Sequence, residues 1–134
     1  EICEAQEEVP GGTETVLVVE DEAVLLELVR SLLEGKGYRV LIARDGFEAV
    51  TVYAEHHQGI AMVLSDLGLP KRNGFEAFNE MKKIDPNVKA IIATGYLDPL
   101  ERSKMLTQGL SDIIQKPYTS DLILRKIREI LDGK

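Results

Sequence analysis

Five short apolar runs punctuate the chain, and between them the apolar residues change to helical spacing. Val16 to Val19 is continuous and Val-rich, which suits a strand buried on both faces rather than one. Tyr38 to Ala43, Met62 to Asp66, Val88 to Thr94 and Asp112 to Gln115 repeat that pattern. After the first run, Leu25, Leu28, Val29, Leu32 and Leu33 fall on one predicted helical face, with Glu27, Arg30 and Glu34 opposite and Gly35 and Gly37 as the stop. The last helix, about Thr119 to Leu131, is predicted to bury Ile123, Ile127, Ile130 and Leu131 and to show Arg125, Lys126, Arg128 and Glu129 to water.

Three helices between these carry start signals. Asp45-Gly46-Phe47-Glu48 and Asn73-Gly74-Phe75-Glu76 have the side-chain acceptor and the Glu three residues on that make a capping box. Asp98-Pro99-Leu100-Glu101 adds a Pro at the first helical position. Five strands alternating with five helices predict an α/β fold, a doubly wound five-stranded parallel sheet with helices on both faces.

A chain of 134 residues, 44% of them hydrophobic, fits a single core. Residues 1–14, acidic and ending near Pro10-Gly11-Gly12, read as a linker or arm, and 15–134 as the domain. Because the first residue is not Met, the arm is read as the tail of a connection from an upstream domain. Gly11-Gly12 is not a phosphate loop, since no Lys-Ser/Thr follows. The net charge of -7 argues against nucleic acid, which is bound by clustered Lys and Arg. No apolar run approaches the ~20 residues that span a bilayer, and no leader is evident, so the domain is expected to make no membrane contact and to be cytoplasmic, whatever anchors its parent. Cys3 is alone, which excludes a disulfide frame.

The chemistry lies in where the polar groups fall. Glu20 and Asp21 follow the first strand, Asp66 ends the third, Thr94 the fourth, and Lys116 follows the fifth. Each has a bland reading: an acidic helix start, a turn, a strand-end cap. In a parallel sheet, however, these ends share one edge, where open α/β folds keep their ligands. Two like charges about 4 Å apart at an effective dielectric near 20 repel by roughly 4 kcal/mol, so three acids and one Lys call for a cation. A hard divalent ion such as Mg2+ prefers this oxygen set, with Asp21 and Asp66 as direct ligands and Glu20 acting through water. One oxygen of Asp66 is then left as a nucleophile for phosphoryl transfer, helped by Lys116 and the Thr94 hydroxyl. His56 and His57, adjacent at a helix end, lack the spacing of a helical metal pair and are read as solvated.

The motifs Val-Leu-Val-Val-Glu20-Asp21-Glu, Leu-Ser-Asp66-Leu-Gly-Leu-Pro, Ala-Thr94-Gly-Tyr and Gln-Lys116-Pro117-Tyr together resemble the receiver domain of bacterial two-component signalling, over about Glu14 to Asp132. The resemblance implies strand order 2-1-3-4-5 and Asp66 as phospho-acceptor. It implies Mg2+ on Asp21, Asp66 and the Gly68 carbonyl, with Glu20 behind them. It also implies Lys116 on the phosphoryl group, a cis peptide before Pro117, and Thr94 as a switch hydroxyl. The implied partner is a histidine kinase or a histidine phosphotransfer domain, in the same polypeptide or another, and a phosphorylation-dependent dimer is compatible with the fold. Many receivers carry an aromatic residue three before the Lys. Here it is Ile113, which favours a domain that passes on or drains phosphate. The acidic leader and a receiver closing the chain resemble a hybrid sensor histidine kinase. The competing reading is a degenerate receiver that binds protein without phosphorylation, though such a domain normally loses one of the site residues. A hydrolase with an Asp nucleophile would want a second Asp where Gly68 stands.

Overall fold

The computed structural model describes residues 10–69 and 71–133, so expectations resting on Cys3, on the rest of the first nine residues and on Pro70 lie outside the described residues. The elements run β1 (Thr15–Val19), α1 (Ala23–Glu34), β2 (Arg39–Ala43), α2 (Gly46–His56), β3 (Ile60–Asp66), α3 (Gly74–Ile84), β4 (Ala90–Thr94), α4 (Pro99–Thr107), β5 (Asp112–Gln115) and α5 (Ser120–Leu131). All sheet pairs are parallel, in the order β2-β1-β3-β4-β5. The doubly wound sheet and its strand order are as expected.

The apolar runs earn their continuity from burial on both faces. Leu17 and Val19 of β1 pack with Val63, Ile92 and Ile113 under α2, α3 and α4. Val16 and Val18 turn the other way, joining Leu64, Ile91 and Ile114 under α1 and α5. With successive side chains on opposite faces, an all-apolar strand is the only kind that satisfies both layers.

The outer helices depart from the predicted faces. In α1 the residues buried against the sheet are Leu26 and Leu33, two turns apart, while Leu28 is 61% exposed and Val29 and Leu32 are only partly covered. The α1 sequence is apolar around more than half its circumference, so periodicity does not single out the face the sheet selects. In α5, Leu124 joins Ile123 and Ile127 in the core, and Ile130 and Leu131 are only partly covered. Two of the basic residues expected in water are engaged: Lys126 lies 3.0 Å from Asp112 of β5, and Arg128 reaches back to Glu14. Arg102 of α4 also donates to the Ile113 carbonyl at 3.2 Å, which blunts the edge strand β5.

The caps were partly legible. Asn73 and Glu76 form the reciprocal box, with the Glu76 N–H donating to Asn73 Oδ1 at 2.8 Å and the Asn73 N–H donating to Glu76 Oε1 at 3.0 Å. At α2, Asp45 accepts from the Glu48 N–H at 2.7 Å, but Glu48 accepts from Arg44, one residue before the expected donor. Asp98 accepts from Leu100. Asn73→Ala is expected to lower stability by about 1 kcal/mol in urea unfolding. An unchanged midpoint would mean that the Gly74 N–H, which donates to the Leu67 carbonyl, holds the α3 start by itself.

Candidate functional site

Strand register assembles the site. Val19 is paired with Ser65, so the chain steps off β1 at Glu20 level with Asp66 at the end of β3. Asp66 is paired with Ala93, one before Thr94, and Thr94 with Gln115, one before Lys116. The Lys116 N–H donates to the Thr94 carbonyl at 2.7 Å, and the Leu67 N–H to the Ala93 carbonyl at 2.9 Å, carrying the alignment past the strand ends. The five polar residues that lie scattered over almost a hundred positions therefore meet along one edge of the sheet.

Carboxylate oxygens of Glu20, Asp21 and Asp66 lie within 4.8 Å of one another. Lys116 Nζ is 2.8 Å from Asp66 Oδ1 and 3.7 Å from Glu20 Oε1. Burial pushes the Glu20 carboxyl above its ordinary range, against the pull of the Glu22 N–H and of Lys116. Burial also works against the Lys116 ammonium, but Asp66 and then Glu20 outweigh it and raise its pKa. Three acids within one ion's reach of each other and a single ammonium leave the cluster short of positive charge. An all-oxygen set of this kind suits a hard divalent cation.

The Thr94 hydroxyl donates to the Tyr96 carbonyl at 3.1 Å, so it points into the loop after β4 rather than at Asp66. Nothing stands within 4 Å of where a Cβ on Gly68 or Gly95 would sit, so the crevice is open on both sides of Asp66. The Lys116–Pro117 peptide is cis. Ile113 is buried in the layer under α2, α3 and α4, and Tyr96 is 75% exposed. His56 is exposed and the His57 ring lies tilted at 40° to Tyr53, with ring centroids 5.9 Å apart; neither belongs to the acidic cluster.

Two features escaped the sequence reading. A groove of about 570 Å³ runs beside the site, walled by Leu25, Leu28, Val29 and Leu32 of α1 and by Pro117 and Tyr118, with Glu20 and Lys116 also lining it. The overlong apolar face of α1 was its only sequence signal. Gly46 and Gly74, each the first residue of a helix, allow close backbone contact: a Cβ there would fall 1.9 Å from the Arg72 carbonyl and 2.3 Å from the Asp66 carbonyl. A poor helix former placed twice directly after a cap was the signal available.

The family model for the response regulator receiver domain matches residues 16–128. The chain is 33% identical over 116 residues to a transcriptional regulatory protein CpxR homolog of Haemophilus influenzae, covering 87% of this chain and 49% of that protein. It thus spans about half the length of that curated relative. A response regulator receiver domain protein from Clostridium thermocellum superposes with a TM-score of 0.85 at 29% identity, covering 90% of this chain and 95% of that one. The receiver domain of the Pseudomonas aeruginosa sensor histidine kinase PA1611, crystallised with magnesium coordinated in its active site cleft, gives a TM-score of 0.77 at 26% identity, over 92% of this chain and 100% of that one. The match over nearly the whole chain, on a sheet that delivers the acidic pair, the Asp, the hydroxyl and the Lys to one edge, places this chain in the response regulator receiver domain family.

Proposed function

We propose that Asp66 is the phospho-acceptor of this receiver domain, which takes a phosphoryl group from a phosphohistidine in two-component signalling. The observation that carries the reading is Lys116 Nζ at 2.8 Å from Asp66, inside a cluster of three carboxylates. A carboxylate oxygen of Asp66 attacks phosphorus, the phosphorus–nitrogen bond of the phosphohistidine breaks, and the imidazole nitrogen leaves with the electron pair. Lys116, already neutralising Asp66, is placed to take up charge on the transferring oxygens. The Thr94 hydroxyl, by giving up the Tyr96 carbonyl, can turn to the same oxygens. Asp21, Asp66 and the Gly68 carbonyl would hold Mg2+, with Glu20 through water, and the ion would supply charge neutralisation for the transferring group. Nothing favours a degenerate receiver, since Glu20, Asp21, Asp66, Thr94 and Lys116 are all present.

The donor, a histidine kinase or histidine phosphotransfer domain, is proposed to dock on the apolar groove between α1 and Pro117-Tyr118, which opens directly onto Lys116. Leu28 in its wall is 61% exposed, and Val24, 74% exposed, extends that apolar surface. For the parent we favour a hybrid sensor histidine kinase, on the buried Ile113 in place of an aromatic switch and on the likeness to a receiver from a sensor kinase. No helix among the described residues is long and apolar enough to cross a membrane, and the proposed place of action is the cytoplasm.

The test is intact-mass spectrometry after incubation with acetyl phosphate. The protein is expected to gain one phosphoryl group with Mg2+ and to gain none once EDTA removes the ion. No gain in Mg2+, even with a histidine-kinase core as donor, would sink the acceptor reading and leave a binding module.

A further inference from the structure

The Pro-Gly-Gly segment before β1 has the composition of a linker, yet its described residues are held by both the turn after α1 and the end of α5. The Gly12 N–H donates to the Lys36 carbonyl at 3.1 Å in the turn after α1. The Gly11 carbonyl accepts from Arg128 Nη1 at 3.1 Å, near the end of α5. Glu14 takes a bidentate pair from the same guanidinium, Nη1 to Oε1 at 3.1 Å and Nη2 to Oε2 at 2.8 Å. Arg128 also holds Asp132 through Nη2 at 2.8 Å, and its Nη1 lies 3.5 Å from the Tyr38 hydroxyl at the head of β2. One planar fork thus ties the segment to two elements at once, which a Lys could not do.

The glycines make the seat close enough to matter. A Cβ on Gly11 would fall 2.3 Å from the Lys36 carbonyl. One on Gly12 would fall 2.4 Å from both Arg128 Nη1 and Glu14 Oε1. Gly37, at φ +97°, receives the Gly12 carbonyl where its own Cβ would be, 2.5 Å away. At Gly11 and Gly37, on two separated stretches of chain, the added methyl would meet backbone carbonyls that cannot rotate away, which indicates a fitted contact rather than a passing one.

We propose that residues 10–14 are a strap of the folded domain, latched by Arg128 to the end of α5, and that the domain therefore begins at Pro10 rather than at Thr15. The strap lies at the edge where the strands begin, one strand length from the acidic cluster, or about 13 Å along β1. The crevice and the α1 groove stay open. The strap thus ties residues 11 and 14 to α5, the helix that follows Lys116-Pro117-Tyr118.

Amide hydrogen exchange at Gly12, read residue by residue in the full chain, tests the latch. In Glu14→Gln, which leaves the Arg128–Asp132 pair in place, Gly12 is expected to exchange at least about tenfold faster than in the wild type. Arg128→Gln, which also removes the bond to the Gly11 carbonyl, is expected to speed exchange at least as much, and the double variant to add little to Arg128→Gln, because Glu14 acts through Arg128. Phosphoryl uptake at Asp66 is expected to be unchanged in all of them. Gly12 exchange that stays at the wild-type rate in Glu14→Gln, or single effects that simply add in the double variant, would overturn the latch.

Discussion

Asp66→Asn is expected to abolish phosphoryl incorporation from acetyl phosphate while leaving far-UV circular dichroism unchanged. Asn keeps the shape of the side chain and can still accept from Lys116, which lies 2.8 Å from Asp66 Oδ1, so the packing of the site survives. It removes the anionic oxygen that attacks phosphorus, and a neutral amide is no nucleophile here. Two hydroxyls at this edge of the sheet are no substitutes. The Ser65 hydroxyl is buried and donates to the Asp66 carbonyl at 2.9 Å. The Thr94 hydroxyl is turned onto Tyr96. Mass spectrometry that finds one phosphoryl group on the Asn variant would place the acceptor elsewhere and dismantle the assignment of roles around it.

Gly46→Ala separates two arguments that differ in sign. By helix propensity alone, replacing Gly with Ala stabilises by up to about 1 kcal/mol. The structure places the new methyl 1.9 Å from the Arg72 carbonyl oxygen, which is backbone and cannot rotate away. Arg72 belongs to the loop that runs from Asp66 to α3. Beside it, Lys71 sits at φ +68° with its ammonium 3.6 Å from Asp45, the cap of α2. The α2 start and the loop after Asp66 are therefore one interlocked unit, and relief of the clash has to move that loop. We expect a loss of about 3 kcal/mol, at the upper end of what overpacking usually costs, read as a lower urea midpoint. Slower phosphorylation in the folded fraction is expected with it, since the loop carries Gly68. A midpoint equal to or above that of the wild type would show that the loop yields freely and is not braced by α2.

Much of the molecule was legible because its layers impose repeating demands on residue type. A strand covered on both faces must be apolar throughout, and Val16 to Val19 or Ala90 to Ala93 can hardly be read otherwise. Caps are local chemistry, so Asn73 and Glu76 could be paired from spacing. Strand ends in a parallel sheet share an edge, so Glu20, Asp21, Asp66, Thr94 and Lys116 could be gathered before any coordinate was known. The helix faces were harder. Where a helix carries more apolar residues than one face can bury, as α1 does, the sheet chooses among them, and Leu28 ends exposed beside Leu26 buried.

By itself, then, the sequence determined the α/β alternation, the helix starts and the set of residues that share the reactive edge, since each follows from periodicity or short-range hydrogen bonding. Only the tertiary structure decided which face of α1 is left open as a groove. It also decided that Thr94 rests on Tyr96, that Gly46 and Gly74 seat the loop after Asp66, and that Arg128 turns a linker-like segment into a strap. Those outcomes rest on contacts between residues as far apart as Glu14 and Arg128, whose distance in space no local pattern encodes.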